Sequence, residues 1–168
     1  MQKSLLICFA LLFTPLATAD MRIEVQIPRL DVAEYHRPYV ALWIEQEQRH
    51  VADITVWYDL GLADQEGEKW LKDLRQWWRR SGRGLTLPVD GISAATRPPG
   101  IHELTLGHNS APLNDLPPGD YELLVEAARE VGGRELLRLP FSWPASQAST
   151  VTVQGTNELG QVRLALTP

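Results

Sequence analysis

Apolar and polar residues alternate one by one along most of this chain, and a period of two predicts a β-rich fold. Over residues 21–27 every second residue is apolar, while arginine, glutamate and glutamine stand between them. Such alternation is typical of a half-buried strand. We expect eight strands, over residues 21–27, 39–45, 51–58, 100–106, 120–128, 134–143, 150–154 and 161–166. Turn signals between them favour a mainly β fold, an immunoglobulin-like antiparallel β-sandwich.

One segment breaks this alternation. Within residues 66–80 the apolar side chains are spaced as on one face of a helix, and charged residues fill most of the remainder. The apolar positions are Trp70, Leu71, Leu74, Trp77 and Trp78. We therefore expect one amphipathic helix inserted into the sandwich, with Trp70, Leu74, Trp77 and Trp78 buried against the sheet. The alternative for its three tryptophans is stacking on an aromatic ligand.

The first nineteen residues have the composition of a cleaved secretory signal. Lys3 precedes an apolar run over residues 5–13, and Ala17 and Ala19 fit the small-residue positions of a cleavage site. The apolar run is shorter than the roughly 20 residues that span a bilayer. We expect residues 1–19 to be removed, and residues 20–168 to form a single periplasmic domain that is not embedded in a membrane.

Composition excludes several classes of function for the processed chain. Cys8 lies in the signal, so no thiol would remain for a disulfide or a metal site. Fifteen basic and twenty-one acidic residues would remain, and a net charge of −6 argues against nucleic-acid binding. Glu126 and Glu130 are expected to be solvated charges. The histidines show no helical metal-ligand spacing and are expected to be exposed or hydrogen-bonded: His36, His50, His102 and His108.

A long irregular stretch follows the predicted helix, and it contains a run of small residues. Residues 87–100 read LPVDGISAATRPPG. By residue chemistry alone, residues 93–96 form an exposed turn whose backbone a phosphate or another protein can approach closely. The planar guanidinium of Arg97 suits a phosphate counter-ion. The alternative is an ordinary proline-rich loop in which Asp90 makes an Asx turn.

Residues 90–96, DGISAAT, resemble the acceptor motif D-x-x-[ST]-[GS]-A-[TS] of proteins that the periplasmic FAD:protein FMN transferase modifies. The resemblance implies that Thr96 receives FMN through a phosphoester bond. It also implies that the transferase recognises Asp90 and Ser93, the leading acid and the first hydroxyl of the motif. Ala94 departs from the motif, because glycine is usual at that position.

Three segments resemble the predicted periplasmic proteins filed as domain of unknown function 2271. They are ATRPPG at residues 95–100, PGDY at 118–121 and VEAAREVGG at 125–133. Members of that family are often found with flavin transferases and membrane reductases, which implies a periplasmic redox setting.

The two resemblances together imply an electron carrier with FMN on Thr96, rather than a stand-alone enzyme. The site residues expected from them and from the loop chemistry are Thr96, Asp90, Ser93 and Arg97. Its partners would be the FAD:protein FMN transferase and a membrane-bound reductase or electron donor. The alternative is a cofactor-free immunoglobulin-like binding or accessory module. A hydrolytic enzyme ranks behind both, because no nucleophile–base pair can be assembled from the spacing.

The signal predicts where the processed chain begins. Cleavage after Ala19 would leave Asp20 as the first residue. N-terminal sequencing of the secreted protein should therefore start at Asp20. A membrane-bound product that retains Met1 would contradict this localisation.

Overall fold

Nine strands form two sheets that pack face to face in the computed structural model, which describes residues 20–168. The predicted signal peptide lies outside these described residues. The strands are β1 (Asp20–Ile27), β2 (Tyr39–Gln46), β3 (Arg49–Tyr58), β4 (Ser93–Ala95), β5 (Gly100–Leu106), β6 (Gly119–Ala128), β7 (Arg134–Trp143), β8 (Ser149–Gln154) and β9 (Gln161–Thr167). One sheet has the order β5-β1-β9-β8 and the other β4-β3-β2-β6-β7. The predicted mainly β sandwich with a helical insertion is confirmed.

The core between the two sheets follows from the alternation in the sequence. In β1, Met21, Ile23 and Val25 are fully buried, while the residues between them are exposed or half-buried. The five-stranded sheet faces them with side chains such as Leu42 and Ile44 of β2. Burial of each such side chain contributes about 1.5–3 kcal/mol, which makes this core the main source of stability.

A second apolar core lies on the outer face of the five-stranded sheet. Ala41 and Trp43 of β2 belong to it, so β2 is buried on both faces. The covering residues come from the segment between β3 and β4, which buries Leu71, Leu74 and Trp77 completely. The five-stranded sheet is therefore the middle layer of the molecule, with the other sheet on one side and this segment on the other.

The covering segment is not the single helix that the sequence predicts over residues 66–80. A 3-10 helix, Ala63–Asp73, is separated by Leu74 from the short helix α1 (Arg75–Arg80). Three buried residues face the sheet at intervals of three: Leu71 in the 3-10 helix, Leu74 between the two helices and Trp77 in α1. Trp70 falls outside this series and is 46% exposed, so the expectation that it is buried was wrong. Trp78 is half-buried.

Glu126 of β6 is completely buried, which corrects its expected role as a solvated charge. Its carboxylate accepts hydrogen bonds from the backbone N–H groups of Gln76, at 3.0 Å, and Trp77, at 2.8 Å. These N–H groups lie in the first turn of α1, where no partner exists within the helix. Arg134 balances the charge of the carboxylate. Glu126 thus fastens α1 to the sheet.

The four histidines contact carboxylates or backbone rather than one another. Nε2 of His50 lies 3.1 Å from Oδ1 of Asp53, which also accepts from the indole N–H of Trp77 at 2.8 Å. Burial raises the pKa of Asp53, but hydrogen bonds from His50, Ser81 and Trp77 outweigh it and leave the pKa below its usual value. Within residues 20–168, no three His, Cys, Asp or Glu side chains converge as a metal site. None of the helices in that part of the chain has the length and apolar character needed to span a bilayer.

Truncation of two tryptophans in the covering segment should lower stability by very different amounts. Trp77→Ala removes a fully buried ring and should lower the free energy of unfolding by about 3–5 kcal/mol. Trp70→Ala, on a half-exposed ring of the same segment, is the matched control and should cost less than about 1 kcal/mol. Chemical denaturation measures both. Equal losses would mean that the segment does not pack through the face described here.

Candidate functional site

Residues 93–95 form β4, an edge strand, and not part of the exposed turn that the sequence predicts. β4 runs parallel to the end of β3, and the three pairs are Ser93 with Val56, Ala94 with Trp57, and Ala95 with Tyr58. The methyl group of Ala94 packs against the core between the sheets. Its backbone is that of a strand, so this position needs no glycine. Three residues are too few for alternation to reveal a strand.

The turn that precedes β4 carries the first half of the predicted motif. Gly91 has a φ of 77°, a left-handed conformation that favours glycine. The backbone N–H groups of Ile92 and Ser93 donate to the carbonyl of Val89 at 3.2 and 2.9 Å. The Ser93 hydroxyl accepts from the N–H of Val89 at 3.0 Å, so this side chain closes the turn. Asp90 lies exposed at its tip.

Thr96 directly follows β4, and Asp59 directly follows β3. Because the two strands are parallel, their carboxyl ends meet at the same edge of the sheet. The Thr96 hydroxyl donates a hydrogen bond to Oδ1 of Asp59 at 3.0 Å. The backbone N–H of Thr96 donates to the carbonyl of Tyr58 at 3.2 Å. A hydroxyl oxygen is thus held beside a carboxylate at a fixed place on the sheet edge.

A pocket of about 360 Å³ opens beside Thr96. This volume falls in the range of roughly 300–1,000 Å³ that is typical of small-molecule sites. Tyr35, Tyr39 and Trp70 contribute aromatic walls, the basic residues are Arg37 and Arg129, and the acidic residues are Asp59, Asp73 and Glu130. The position of Trp70 in this lining accounts for its exposed ring. The arrangement suits a flat aromatic ligand that carries polar groups.

The 3-10 helix forms one wall of the pocket and approaches the sheet edge very closely. A Cβ atom on Gly67 would lie 2.2 Å from the backbone oxygen of Asp59, so only glycine fits. The Tyr39 hydroxyl donates to the carbonyl of Gly67 at 3.1 Å. Burial raises the pKa of Tyr39 to about 12, which keeps its hydroxyl protonated as a donor. Gly67 and Tyr39 together set the distance between this wall and Asp59.

Arg129, another residue of the pocket lining, is held in place by a buried ion pair. Its Nε lies 2.8 Å from Oε2 of Glu158, and the two side chains are 6% and 4% exposed. Within residues 20–168, six buried side-chain polar atoms have no hydrogen-bond partner, and two of them are Nη1 of Arg129 and the hydroxyl of Tyr35. Such groups are rare in folded proteins, and each calls for a specific explanation such as a bound water or ion. Both residues line the pocket, so a polar ligand fits this site.

The structure brings one of the four predicted site residues into the pocket. Thr96 lines it, while Asp90 and Ser93 lie in the turn at the other end of β4. The guanidinium carbon of Arg97 lies 5.5 Å from the ring centroid of Trp57, whose ring belongs to the core between the sheets. Arg97 therefore points away from the pocket.

Sequence reasoning missed most of the pocket lining. Asp59 stands at the end of a strand and gives no local signal of its role. The run Tyr35-His36-Arg37 is the one local clue, because aromatic and basic side chains in a connecting loop favour binding. The remaining lining residues come from distant parts of the chain, and only the fold unites them.

Comparison with known proteins identifies a family for most of the chain. The model of the family described as "Predicted periplasmic protein (DUF2271)" matches residues 20–161. This range includes the motif residues 90–96 and every residue that lines the pocket. No curated protein matches the chain, and no solved structure matches it either.

The close approach at Gly67 gives a direct test of how the pocket is built. Gly67→Ala should force the 3-10 helix away from Asp59 and lower the free energy of unfolding by about 1–3 kcal/mol or more. Gly61→Ala is the matched control, since nothing lies within 4 Å of its Cβ position. Thermal unfolding compares the two variants. Similar melting temperatures for both would show that the wall does not sit this close to the sheet edge.

Proposed function

We propose that this chain, which belongs to the DUF2271 family of predicted periplasmic proteins, is an electron carrier with FMN attached covalently to Thr96. The observation that carries the proposal is the position of the Thr96 hydroxyl, at the edge of an aromatic pocket and 3.0 Å from Asp59. Export through a signal peptide cleaved after Ala19 is part of the proposal. In its support, the family match begins at Asp20.

Attachment requires Thr96 to act as a nucleophile toward FAD held by the transferase. The bond between Thr96 Oγ and the phosphorus of the FMN half forms, the phosphoanhydride bond breaks, and AMP leaves. The hydroxyl proton already points at Oδ1 of Asp59. A carboxylate in this position orients the nucleophile and accepts its proton as the new bond forms. The exposed turn with Asp90 offers the transferase a surface to recognise, and Thr96 itself is half-buried and so partly accessible.

The pocket residues fit the group that the attachment would bring. Trp70, Tyr39 and Tyr35 offer flat apolar walls, and the unpartnered polar atoms of Tyr35 and Arg129 call for a polar ligand. Arg37 and the unpartnered Nη1 of Arg129 can donate hydrogen bonds to a phosphodiester. FMN supplies reversible uptake of electrons when bound, while the protein retains and orients it and limits its contact with water. Arg97 remains a predicted phosphate counter-ion, and its guanidinium lies over Trp57 and not in the pocket.

A second candidate is the cofactor-free binding module, in which the same pocket takes a ligand without a covalent bond. The observation that favours it is the pair of unpartnered polar atoms, the hydroxyl of Tyr35 and Nη1 of Arg129, which a reversibly bound polar ligand would satisfy equally well. Under the carrier proposal the partners are the FAD:protein FMN transferase and a membrane-bound reductase or electron donor. Under the second, neither partner is needed.

Substitutions in the motif distinguish these two functions. After co-expression with the transferase, Thr96→Ala should abolish covalent flavin, because no hydroxyl remains to form the ester. Thr96→Ser should largely retain it, while Asp90→Ala and Ser93→Ala should weaken it. Asp59→Asn should slow modification, because the amide accepts a proton far less readily than the carboxylate. Flavin fluorescence of the denatured band on a gel measures each outcome.

Stability measurements control for misfolding in this series. Thr96→Ala loses one hydrogen bond to Asp59 and should change the free energy of unfolding by only about 1 kcal/mol. A folded Thr96→Ala variant without flavin supports the proposal. A wild-type band that stays dark in the presence of active transferase would overturn it and favour the cofactor-free binding module.

A further inference from the structure

Positive charge is concentrated in one stretch of an otherwise acidic chain. Residues 69–83 hold six basic residues and one acid, a net charge of +5. The rest of residues 20–168 holds nine basic and twenty acidic residues, a net charge of −11. An asymmetry of this kind creates a local field that differs in sign from that of the whole protein.

The covering segment turns this charge outward. Leu71, Leu74 and Trp77 face the sheet, which leaves the basic side chains on the opposite side of the segment. Arg80 lies 3.3 Å from the buried carboxylate of Glu45, and Lys69 is paired with Glu66, so both charges are balanced within the chain. The other four basic side chains are exposed, with one exposed acid, Asp73, among them, and form what we call the basic face: Lys72, Arg75, Arg79 and Arg83.

Exposed apolar side chains border the basic face. Trp70 is 46% exposed, and Nζ of Lys72 lies 6.0 Å from the centroid of its ring. Leu60 and Leu62, just before the 3-10 helix, are 40% and 47% exposed. Tryptophan and leucine next to lysine and arginine are typical of segments that lie in the interface of a bilayer.

We propose that the basic face, with Trp70, Leu60 and Leu62, docks the protein onto a bilayer surface rich in anionic phospholipids. The basic side chains would meet the headgroups, and the apolar side chains would enter the boundary between headgroups and acyl chains. A basic and an apolar side chain are adjacent in this surface, because Lys72 lies next to the exposed ring of Trp70. The proposal does not depend on FMN, since every residue in it belongs to the chain itself.

An acidic protein partner is the competing occupant, and the composition of the surface favours the bilayer. Lysine is depleted at the centres of protein–protein interfaces, whereas Lys72 lies next to the ring of Trp70 here. Four separate cations spread along one segment suit a continuous layer of negative charge better than discrete carboxylates. The overall charge of the protein opposes binding only weakly, because salt screens charges beyond about 10 Å.

Binding to vesicles tests the proposal with the purified, unmodified protein. It should sediment with vesicles of phosphatidylcholine and phosphatidylglycerol in equal parts, and stay in solution with pure phosphatidylcholine. Each basic residue near an anionic surface strengthens partitioning about fivefold, so Lys72→Gln combined with Arg75→Gln should weaken it about thirtyfold. Trp70→Ala should weaken binding further. Added salt should release the protein.

The matched control removes the same charge from the far side of the molecule. Arg22 and Arg163 lie on the outer face of the four-stranded sheet, and Arg22→Gln with Arg163→Gln gives the same net charge as the test pair. Circular dichroism confirms that each variant is folded. Near wild-type partitioning of the control supports the assignment. Equal weakening by both pairs, or no binding to the anionic vesicles at low salt, would overturn it and leave an acidic protein as the partner.

Discussion

The outer face of the five-stranded sheet is apolar, and the rest of the structure depends on how that face is kept from water. Ala41, Trp43 and Leu124 lie there beneath the covering segment. A six-residue α-helix and a 3-10 helix are marginal by themselves, because helix nucleation is costly. The segment holds its form because packing on the sheet and the Glu126 carboxylate fix it. The pocket opens where this cover meets the edge of the sheet.

Buried ion pairs determine which arrangement of these layers is adopted. Glu45, Glu126 and Glu158 are each almost fully buried, and each lies beside an arginine from another element or turn. Removing two charges from water costs about as much as their attraction returns, so these pairs add little net stability. A misplaced segment would instead leave a carboxylate buried without its partner, which costs several kcal/mol. We infer that these glutamates contribute little net stability and act mainly by disfavouring other arrangements of the layers.

Sequence reasoning succeeded where one side of an element faces the core. The eight predicted strands are all present, with ends that agree within two residues, because alternation reflects burial directly. It failed at β4, which is too short to show a pattern. It also failed on the covering segment, where Leu71, Leu74 and Trp77 repeat every three residues. When Trp70 and Trp78 are also counted as buried, the five apolar positions fit one face of an α-helix, and this led to the prediction of a single helix.

The candidate site was predictable only at the point where a local motif marks it. Thr96 stands out through the residues around it, whereas Asp59 gains its position from the parallel pairing of β3 and β4. Nothing in the sequence near Arg129 shows that it is buried against Glu158. Contacts between residues far apart in the chain depend on the whole fold, and patterns within a short window do not contain them.

Trp70 connects the two proposals, since it lines the pocket and also borders the basic face. A covalent bond at Thr96 prevents loss of a cofactor, but it leaves the orientation of the attached group to the pocket walls. If the basic face lies on a bilayer, the Trp70 wall is the one nearest to the membrane, and so nearest to a membrane-bound electron donor. The two roles can still be separated. Arg129 is buried in the pocket and cannot touch lipid, while Lys72 is exposed and does not line the pocket. Because the pocket and the face depend on different charged residues, failure of either proposal would leave the evidence for the other intact.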